Sequence, residues 1–373
     1  MISVFGCKTG NEEIALVTEV LRSQWLGLGR YVEEFESEFA KYRNLDSFVM
    51  VDSGSNALYM AIKLLDLPPG SEIILPSFTW VSCAQAILLA GHNPVFADVE
   101  IESNNITADL IKPHITPKTA AVMVVHFAGK PVDMDPILAL GIPIIEDVAH
   151  AVSSSYKGRT CGSIGDVAIF SFDAVKNLTA GEGGGVAMKN PDLKARAMQL
   201  RYCGIGKSGF EAASSGASQK NRWWEYHIQE PFIKMLPNNI TAAVALAQLR
   251  KIDDLQETRK VCFDQYQCEL KNVGDILCPP DPASYEEHSY FTYVIRTAKR
   301  DSLARFLLDK GIYTTLRYHP LHLNRIYGSH VRLPNSELLN ETALSIPLHP
   351  NLSESDMDYI ISSIKEFYGT NHV

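Results

Sequence analysis

Four short segments carry side chains that could act together in one site. The first is DSGSNAL (Asp52–Leu58), which follows an apolar run and opens a predicted helix. In this segment Gly54 lets the backbone approach a ligand, and Ser55 and Asn56 add polar side chains. The free N–H groups of a helix start favour an anion such as phosphate. An ordinary Ser/Asn helix cap explains the same residues, so the segment alone leaves both interpretations open.

The second segment ends the apolar run IPIIED, with Glu146 and Asp147 as its last residues and His150 three positions further on. A carboxylate buried at a strand end is costly unless it meets a cation or a hydrogen-bond donor. A protonated heterocyclic nitrogen would be such a partner. The alternatives are that Asp147 makes a structural hydrogen bond and that His150 is a structural histidine.

The third segment is SFDAVKNLT (Ser171–Thr179), just beyond the apolar run VAIFS. Lys176 follows apolar residues here, and partial desolvation would lower the pKa of its amine. Such a lysine can form a Schiff base with an aldehyde. The alternative is an exposed loop lysine, which is the commonest environment for this residue type.

The fourth segment is GEGGG (Gly181–Gly185), which contains neither the GK[ST] end of a phosphate loop nor GxGxxG. Nucleoside triphosphates and dinucleotides are therefore disfavoured as ligands. Its glycines suit a tight turn under a bound ring.

Together, the segments describe an anion site, a carboxylate for a ring nitrogen and a lysine for an aldehyde. This is the set of groups that pyridoxal phosphate (PLP) needs from a protein. Trp80, in PSFTW, would suit stacking on the pyridine ring. Its alternative is a place in the core or at a helix start.

These segments must be positioned by the elements that end beside them. Short β-branched runs alternate with helical patterns between residues 48 and 188, and several runs are apolar on both faces. This pattern predicts an α/β fold with a mostly parallel sheet between two helical layers, in which ligands bind at the carboxyl ends of the strands. The predicted strands are Phe48–Val51, Ile73–Leu75, Pro94–Ala97, Ala121–His126, Ile142–Glu146, Val167–Ser171 and Gly185–Met188, with helices at Asn56–Leu65 and Trp80–Leu89.

A second, smaller α/β unit is predicted after residue 250. One long amphipathic helix starts at Ala242 and leads out of the first domain. The smaller unit has a strand at Tyr290–Arg296, a helix at Ser302–Lys310 and a terminal helix near Ser355–Phe367. We therefore expect a large ligand-binding domain over residues 1–250, including an N-terminal arm, and a small C-terminal domain over residues 251–373.

The composition disfavours several classes of protein. The chain has 373 residues, with 34 Lys and Arg against 43 Asp and Glu, and its net charge of −9 argues against nucleic acid as a partner. Its seven cysteines are odd in number, scattered and without a CxxC pair, so neither a disulfide framework nor a metal site is expected. The sequence shows no signal peptide and no apolar run of membrane-spanning length, about 18 residues. A cytoplasmic enzyme without a membrane partner is therefore expected.

The chain resembles the PLP-dependent nucleotide-sugar aminotransferases of the DegT/DnrJ/StrS family. The resemblance covers nearly the whole chain, and its most specific string is FSFDAVKNLTAGEGG. Further strings that carry it are WLGLGRYVEEFESEFAKY, SGSNAL, PSFTWVSCAQAILLAG, IIEDVAHA, YKGRTCGSIGD, AAVALAQLRKID, YHPLH and LSIPLHPNLS. It implies the type I PLP-dependent transferase fold, which is aspartate aminotransferase-like. The family commonly has His where this chain has Asp173, a difference that bears on substrate tuning.

The resemblance implies roles for the residues that match the family's strings. Lys176 would bind the aldehyde of the cofactor and Asp147 would pair with its pyridine nitrogen, so these two would be the catalytic residues. Trp80 would stack on the ring, and His150 would lie near the O3′ side. The phosphate would be held by Ser55, Asn56 and Ser171, with Gly54 also in the cofactor site.

The family takes one further phosphate contact from the partner subunit. Counting back from ITAA places Lys234 at that position, within FIKMLPNNITAA. The resemblance therefore implies an obligate homodimer with active sites at its interface.

The resemblance also implies a reaction. The protein would convert a nucleotide-linked keto-deoxysugar to an amino-sugar with glutamate as donor, in the biosynthesis of a surface polysaccharide or glycan such as lipopolysaccharide O-antigen. The ITAAVALAQL region favours C-4 of 4-keto-6-deoxy sugars. The alternatives are a C-3 aminotransferase, a sugar dehydratase and a non-catalytic PLP-bound regulator. Lys176 disfavours the dehydratases, which carry His there, and the length and charge disfavour a DNA-binding regulator.

Substrate contacts are predicted at two places. The stretch RWWEYHIQEP lies outside the family's common pattern, and its Trp223 and Trp224 are expected either to shape the sugar pocket or to form a packing patch. Arg317, His319 and His322 lie in family regions near the mouth of the site. They are expected to contact the substrate or cofactor, or else to have packing and surface roles.

Overall fold

The computed structural model describes residues 1–206 and 224–369 of the chain. The strands of its first two sheets are β1 (Phe48–Val51), β2 (Glu72–Pro76), β3 (Asn93–Ala97), β4 (Thr119–Val125), β5 (Ile144–Asp147), β6 (Ser155–Tyr156), β7 (Arg159–Thr160), β8 (Val167–Ser171), β9 (Gly184–Met188) and β10 (Glu286–Glu287). Seven of them form the central sheet, in the order β1-β9-β8-β5-β4-β2-β3, and β10, β6 and β7 form a small sheet. In the central sheet, β9 runs antiparallel to both neighbours and the other pairs are parallel. The predicted α/β fold with a mostly parallel sheet is confirmed.

Helices cover both faces of this sheet. They are α1 (Asn11–Arg22), α2 (Arg30–Arg43), α3 (Gly54–Leu64), α4 (Val81–Leu89), α5 (Ala108–Ile111), α6 (Met134–Leu138), α7 (Leu193–Leu200) and α8 (Asn239–Arg250). Strand β1 shows the two layers, since Val49 and Val51 join the core under α3 and α4, whereas Phe48 and Met50 join the core under α1, α2 and α8. The strand is buried on both faces, as its continuous apolar run predicts.

A second core follows α8 in the chain. It is built by α9 (Ile252–Leu270), β11 (Tyr293–Arg296), α10 (Arg300–Asp309), β12 (Ala343–Ile346) and α12 (Glu354–Phe367), with α11 (Pro334–Thr342) preceding β12. Strands β11 and β12 form an antiparallel pair. The N-terminal Ile2 packs on this second core, and its amide donates to the Gly311 carbonyl at 2.7 Å. The division of the chain at residue 250 stays a prediction.

Short 3₁₀ helices lie at Lys112–His114, Phe127–Gly129, Leu321–Leu323 and Arg325–Tyr327. Within the described ranges, no helix combines the length and the apolar character that crossing a membrane requires. The same ranges contain no group of three or more His, Cys, Asp or Glu side chains arranged to hold a metal ion.

The single long helix expected from Ala242 was wrong, because the chain forms two helices that meet at Lys251. The backbone of Lys251 leaves the helical region, with φ −122° and ψ 17°. Ala242 to Leu249 face the core under α1 and α2, whereas Cys262 to Leu270 face the second core. The break at Lys251 therefore lies close to the point where the buried residues change from one core to the other.

The strand expected at Tyr290–Arg296 begins three residues later, at Tyr293. Tyr290 has a left-handed backbone, with φ +47°, which interrupts an extended strand. The residues on either side bond to the large unit, since the Ser289 amide donates to Gly129 O and the Phe291 amide to Ala128 O. The early part of the predicted strand therefore links the two cores.

The carboxyl ends of the parallel strands meet at one edge of the central sheet. Strand β1 leads into α3 there, β5 ends at Asp147 and β8 ends at Ser171. Strand β9 begins at the same edge, where a Cβ on Gly184 would lie 2.4 Å from the carbonyl carbon of Ser53. Glycine at this position lets β9 pass directly beneath the start of α3. The glycine-rich segment therefore serves close backbone packing as well as the turn at Gly181, which has φ +79°.

Candidate active site

A cavity of about 420 Å³ lies at this edge of the sheet. Most of the predicted site residues line it: Gly54, Ser55, Trp80, Asp147, His150, Ser171, Lys176 and Arg317. They come from the ends of separate strands, from the turns and helix starts that follow strands and, in the case of Arg317, from the C-terminal part of the chain. The fold thus brings the predicted anion site, carboxylate and lysine into one space.

Asp147 is the last residue of β5 and is buried. Its Oδ1 accepts a hydrogen bond from the Ala149 amide at 2.9 Å, and its Oδ2 accepts one from Cys83 Sγ at 3.2 Å. Burial raises the pKa of Asp147, while these donors and the nearby Lys176 charge oppose the rise. A carboxylate offers about four lone-pair positions, so Asp147 can accept a further, cationic donor.

Lys176 follows β8 in a turn, with its amide donating to the Asp173 carbonyl at 3.0 Å. Its Nζ lies 4.8 Å from the centre of the Phe291 ring. Burial and the Arg317 guanidinium lower the pKa of Lys176 to about 8, although Asp147 and Asp173 favour the charged form. Near that pH, half of the amine is uncharged and can act as a nucleophile.

His150 and Arg317 occupy the same part of the cavity. The His150 ring stacks on Phe291 with centroids 4.0 Å apart, and its Nε2 lies 3.0 Å from the Tyr318 hydroxyl. Burial, with the Lys176 and Arg317 charges, lowers the pKa of His150 well below its usual value, so the ring stays neutral. Arg317 donates to the same hydroxyl at 3.2 Å and lies 4.0 Å from the centre of the Phe5 ring.

The start of α3, where the sequence predicts an anion site, lies at the cavity. Ser53 caps this helix and accepts a hydrogen bond from the Asn56 amide at 3.2 Å. The Ser55 hydroxyl lies 2.7 Å from that of Ser82. A Cβ on Gly54 would lie 2.8 Å from the Ser171 Cβ, so glycine lets the helix start and the end of β8 come together. Free backbone N–H groups at this point suit a phosphate.

The sequence pattern of the DegT/DnrJ/EryC1/StrS aminotransferase family matches residues 8–365. The chain belongs to this aminotransferase family. Lys176, the buried Asp147 carboxylate and the start of α3, which line the cavity, lie within the matched residues.

Several relatives cover almost the whole chain. The dTDP-4-dehydro-2,3,6-trideoxy-D-glucose 4-aminotransferase of Saccharopolyspora spinosa is 37% identical over 366 residues, which is 96% of this chain and 94% of the relative. The solved structure of the aminotransferase TlmJ from Streptoalloteichus hindustanus is 37% identical, with a TM-score of 0.92 and 98% of each chain covered. The PLP form of the putative sugar aminotransferase Spr1654 from Streptococcus pneumoniae is 27% identical, with a TM-score of 0.89 over 98% of each chain.

Two residues that the family resemblance assigned to the phosphate lie outside the cavity lining of this family member. The Asn56 side chain donates to the Asp52 carboxylate at 2.7 Å instead of lining the cavity. Lys234 is exposed and pairs with Tyr202 in an isolated antiparallel bridge. The phosphate contacts of Asn56 and Lys234 stay predictions, and that of Lys234 requires a second subunit.

The remaining substrate candidates do not line the cavity either. His322 is buried, and its Nδ1 lies 2.6 Å from the Ser77 hydroxyl. His319 is exposed, with its Nδ1 2.9 Å from Asn340 Oδ1. Trp224 is 55% exposed, and Trp223 lies outside the described residues. Of the predicted substrate residues that the structure describes, only Arg317 reaches the cavity.

Sequence reasoning missed four residues that shape this family member's site: Cys83, Phe5, Phe291 and Tyr318. A signal existed for Cys83, which lies three residues after Trp80 at the start of α4. Residues three apart in a helix lie on the same face, so Cys83 was placed near a predicted site residue. Tyr318 adjoins Arg317 in the string RYHPLH. Phe5 and Phe291 carried no such signal, because their roles depend on packing between distant parts of the chain.

Proposed function

We propose that the protein transfers an amino group from glutamate to C-4 of a nucleotide-linked 4-keto-6-deoxysugar, with PLP as its cofactor. The observation that carries the proposal is one cavity that contains both Lys176 and Asp147, in a chain 37% identical to a sugar 4-aminotransferase. The Streptococcus relative has been solved in a PLP form and in a PMP form, which supports the same cofactor here.

The cavity has a complement for each part of PLP. The start of α3 offers backbone N–H groups for the phosphate, and the Asp147 carboxylate has lone pairs left for a protonated ring nitrogen. The Lys176 amine, with its pKa lowered to about 8, suits the aldehyde. When bound, PLP supplies an electron sink that stabilises negative charge at the substrate carbon that loses its proton.

The protein's own groups position the substrate and move the protons. Lys176 would hold the aldehyde of the cofactor, and its Nζ, when free, would move the proton at the donor's Cα, since its lowered pKa allows both uptake and release near pH 8. Asp147 favours the protonated state of the ring nitrogen. The neutral His150 ring, held between Phe291 and Tyr318, fixes one wall of the site without adding charge.

A homodimer is part of this proposal. Lys234 is exposed and lies outside the cavity of its own protomer. Its neighbour Ile233 is 56% exposed, and the exposed Trp25 and Leu26 are tied to the same region through hydrogen bonds to Asn239. A protein partner that covered these exposed apolar side chains would remove them from water. We infer that a second copy of the chain covers them and brings its Lys234 to this cavity.

The proposal also places the reaction in the cytoplasm, on the way to a surface polysaccharide such as O-antigen. All seven cysteines, each within the described residues, are free thiols. Free thiols of this number are typical of a reducing compartment. Nucleotide-linked sugars fit that setting as activated precursors of a polymer.

The deciding experiment mixes the purified holoenzyme with glutamate and a panel of nucleotide-linked 3-keto and 4-keto sugars, and identifies the products by mass spectrometry. A 4-amino sugar formed together with an equal amount of 2-oxoglutarate is the expected result. An amine at C-3, loss of water from the sugar without glutamate, or no product from any sugar would each overturn the proposal.

A further inference from the structure

The carboxylate of Asp147 is held at both oxygens, and only one of the two donors is backbone. Oδ1 accepts from the Ala149 amide at 2.9 Å, and Oδ2 accepts from the Cys83 thiol at 3.2 Å. A carboxylate fixed at one oxygen can still rotate about its Cβ–Cγ bond, whereas a second donor fixes the plane of the group. The thiol is therefore the contact that decides which way the remaining lone pairs face.

Cys83 is placed so that its hydrogen has one main acceptor. The side chain is fully buried, and its other polar neighbour is the Thr79 hydroxyl at the longer distance of 3.5 Å. Burial, with the Asp147 charge, raises the pKa of Cys83 well above its usual value. The thiol keeps its proton under these conditions, and an ionised carboxylate can only accept it.

The same helix start holds a second predicted contact to the cofactor. Trp80 occupies the N-cap position of α4, and Cys83 lies in the first turn of this helix. Both Thr79 and Trp80 line the cavity. The start of α4 therefore fixes a residue expected to stack on the ring and a residue that orients the carboxylate expected to pair with the ring nitrogen.

We propose that Cys83 is a positioning residue, whose thiol holds the Asp147 carboxylate in the orientation that meets the ring nitrogen of PLP. This inference rests on the proposed function. Outer groups that orient a ligand-binding side chain commonly matter as much as further contacts to the ligand. If Cys83 instead served only to fill space, an apolar side chain of similar volume would replace it without consequence.

The test measures binding of PLP and of 1-deazapyridoxal phosphate, in which carbon replaces the ring nitrogen, to the apoenzyme. Cys83→Val fills the space without a donor, and Cys83→Ser restores a donor. Because a hydrogen bond to a charged group is lost, Cys83→Val is expected to weaken PLP binding by about tenfold. Binding of the deaza analogue is expected to stay unchanged, and Cys83→Ser is expected to bind PLP as the wild type does.

Cys262→Val serves as the matched control, since Cys262 is a buried thiol in the second core, away from the cavity. Thermal unfolding of each apoenzyme checks that the variants fold. Equal weakening of both ligands by Cys83→Val, or no weakening of either, would overturn the positioning role alone. A wild-type protein that binds PLP no better than the analogue would overturn the role of Asp147 in the proposed function, and the inference with it.

Discussion

Lys176 lines the cavity together with Arg317, and both its partial burial and this charge act on its amine. Burial and the Arg317 guanidinium lower the pKa of Lys176 to about 8, so the uncharged amine becomes abundant well below the pH at which an ordinary lysine deprotonates. We expect the rate constant for capture of PLP by the apoenzyme to rise with pH and to level off above about 8. Stopped-flow absorbance across a pH series measures this profile.

Arg317→Gln tests the cause of that profile. Removing a positive neighbour favours the charged lysine, so the inflection is expected to move to higher pH. Arg325→Gln, at an exposed position outside the cavity, is the matched control and should leave the inflection in place. An unchanged inflection in Arg317→Gln would show that burial alone sets the reactivity of Lys176.

Asp147→Asn removes the charge that favours a protonated ring nitrogen but keeps the size of the side chain. Since the electron sink depends on that proton, we expect kcat to fall by about a hundredfold or more. The unfolding temperature of the apoenzyme should change little, because the amide can keep one oxygen as an acceptor for the Ala149 amide. Near-normal turnover in keto-sugar assays would contradict the role assigned to Asp147.

At the residue scale, the predicted groups that lie in short local strings line one cavity. Lys176, Asp147 and Ser171 follow strand ends, and strand ends converge in a parallel sheet. Cys83 was missed although its spacing from Trp80 was visible, because a thiol in an apolar helix looks like an ordinary core residue. Phe291 was missed for a different reason, since it lies 115 positions beyond Lys176 in the printed sequence and meets it only through tertiary packing.

At the scale of elements, the carboxylate next to Asp147 anchors a loop instead of binding a ligand. Glu146 is completely buried on β5 and accepts hydrogen bonds from the amides of Gly162, Ile164 and Gly165 at 2.6–3.0 Å. Its Oε2 also lies 3.0 Å from His126 Nε2. Because the Val132 amide donates to His126 Nδ1, Nε2 is the ring nitrogen that donates to Glu146. The Glu146 side chain thus joins β5 to the end of β4 and to the loop that precedes β8.

Glu146→Gln is expected to destabilise the protein by about 2–4 kcal/mol, since the new NH₂ group faces amide donors in a buried site. Glu72→Gln, at an exposed hydrogen bond on β2, is the control and should change stability little. Urea denaturation of both apoenzymes measures the free energies of unfolding. Equal midpoints for the two variants would contradict the anchoring role.

The same carboxylate predicts a direction for the pH dependence of stability. Burial opposes ionisation, but the hydrogen bonds from His126 and the backbone amides bring the pKa of Glu146 below its usual value. A lowered pKa in the folded state means that the contribution is present above the pKa of the unfolded chain. It is lost as the pH falls through the lower, folded value. The wild type should therefore lose more stability on acidification than Glu146→Gln does.

Elements were predictable where one apolar pattern runs through the whole element. The strands of the central sheet match their apolar runs closely, because each is buried between two helical layers. The break at Lys251 was not predictable, because its helical periodicity continues on both sides while the buried face changes core. Likewise, the left-handed Tyr290 is imposed by hydrogen bonds from its neighbours to a distant loop.

At the scale of the whole molecule, the two ends of the chain complete the site. The N-terminal arm lies along the second core, where the Tyr313 amide donates to Ile2 O and His349 Nε2 lies 3.1 Å from Ser3 O. This places the Phe5 ring over Arg317, at one wall of the cavity. The large unit supplies the predicted reacting groups, and the N-terminal arm and the C-terminal part of the chain supply one wall of the cavity. The geometry of the cavity therefore depends on how the two units pack together. Separate sequence segments do not predict that packing.

The homodimer can be tested by combining two defective subunits. Lys176→Ala removes the amine of its own site, whereas Lys234→Ala is expected to weaken phosphate binding in the site of the opposite subunit. If the dimer is symmetric and Lys234 acts across it, a mixed dimer contains one doubly altered site and one intact site. After subunit exchange of equal amounts at limiting PLP, activity should recover to about one quarter of the wild-type value, since half of the dimers are mixed and each has one intact site of two. If Lys234 acts within its own subunit, every site keeps one defect and activity stays at the average of the separate variants. An affinity tag on one variant alone shows by co-purification how much of the other variant has entered mixed dimers, and so separates a failure to exchange from a failure of the arrangement.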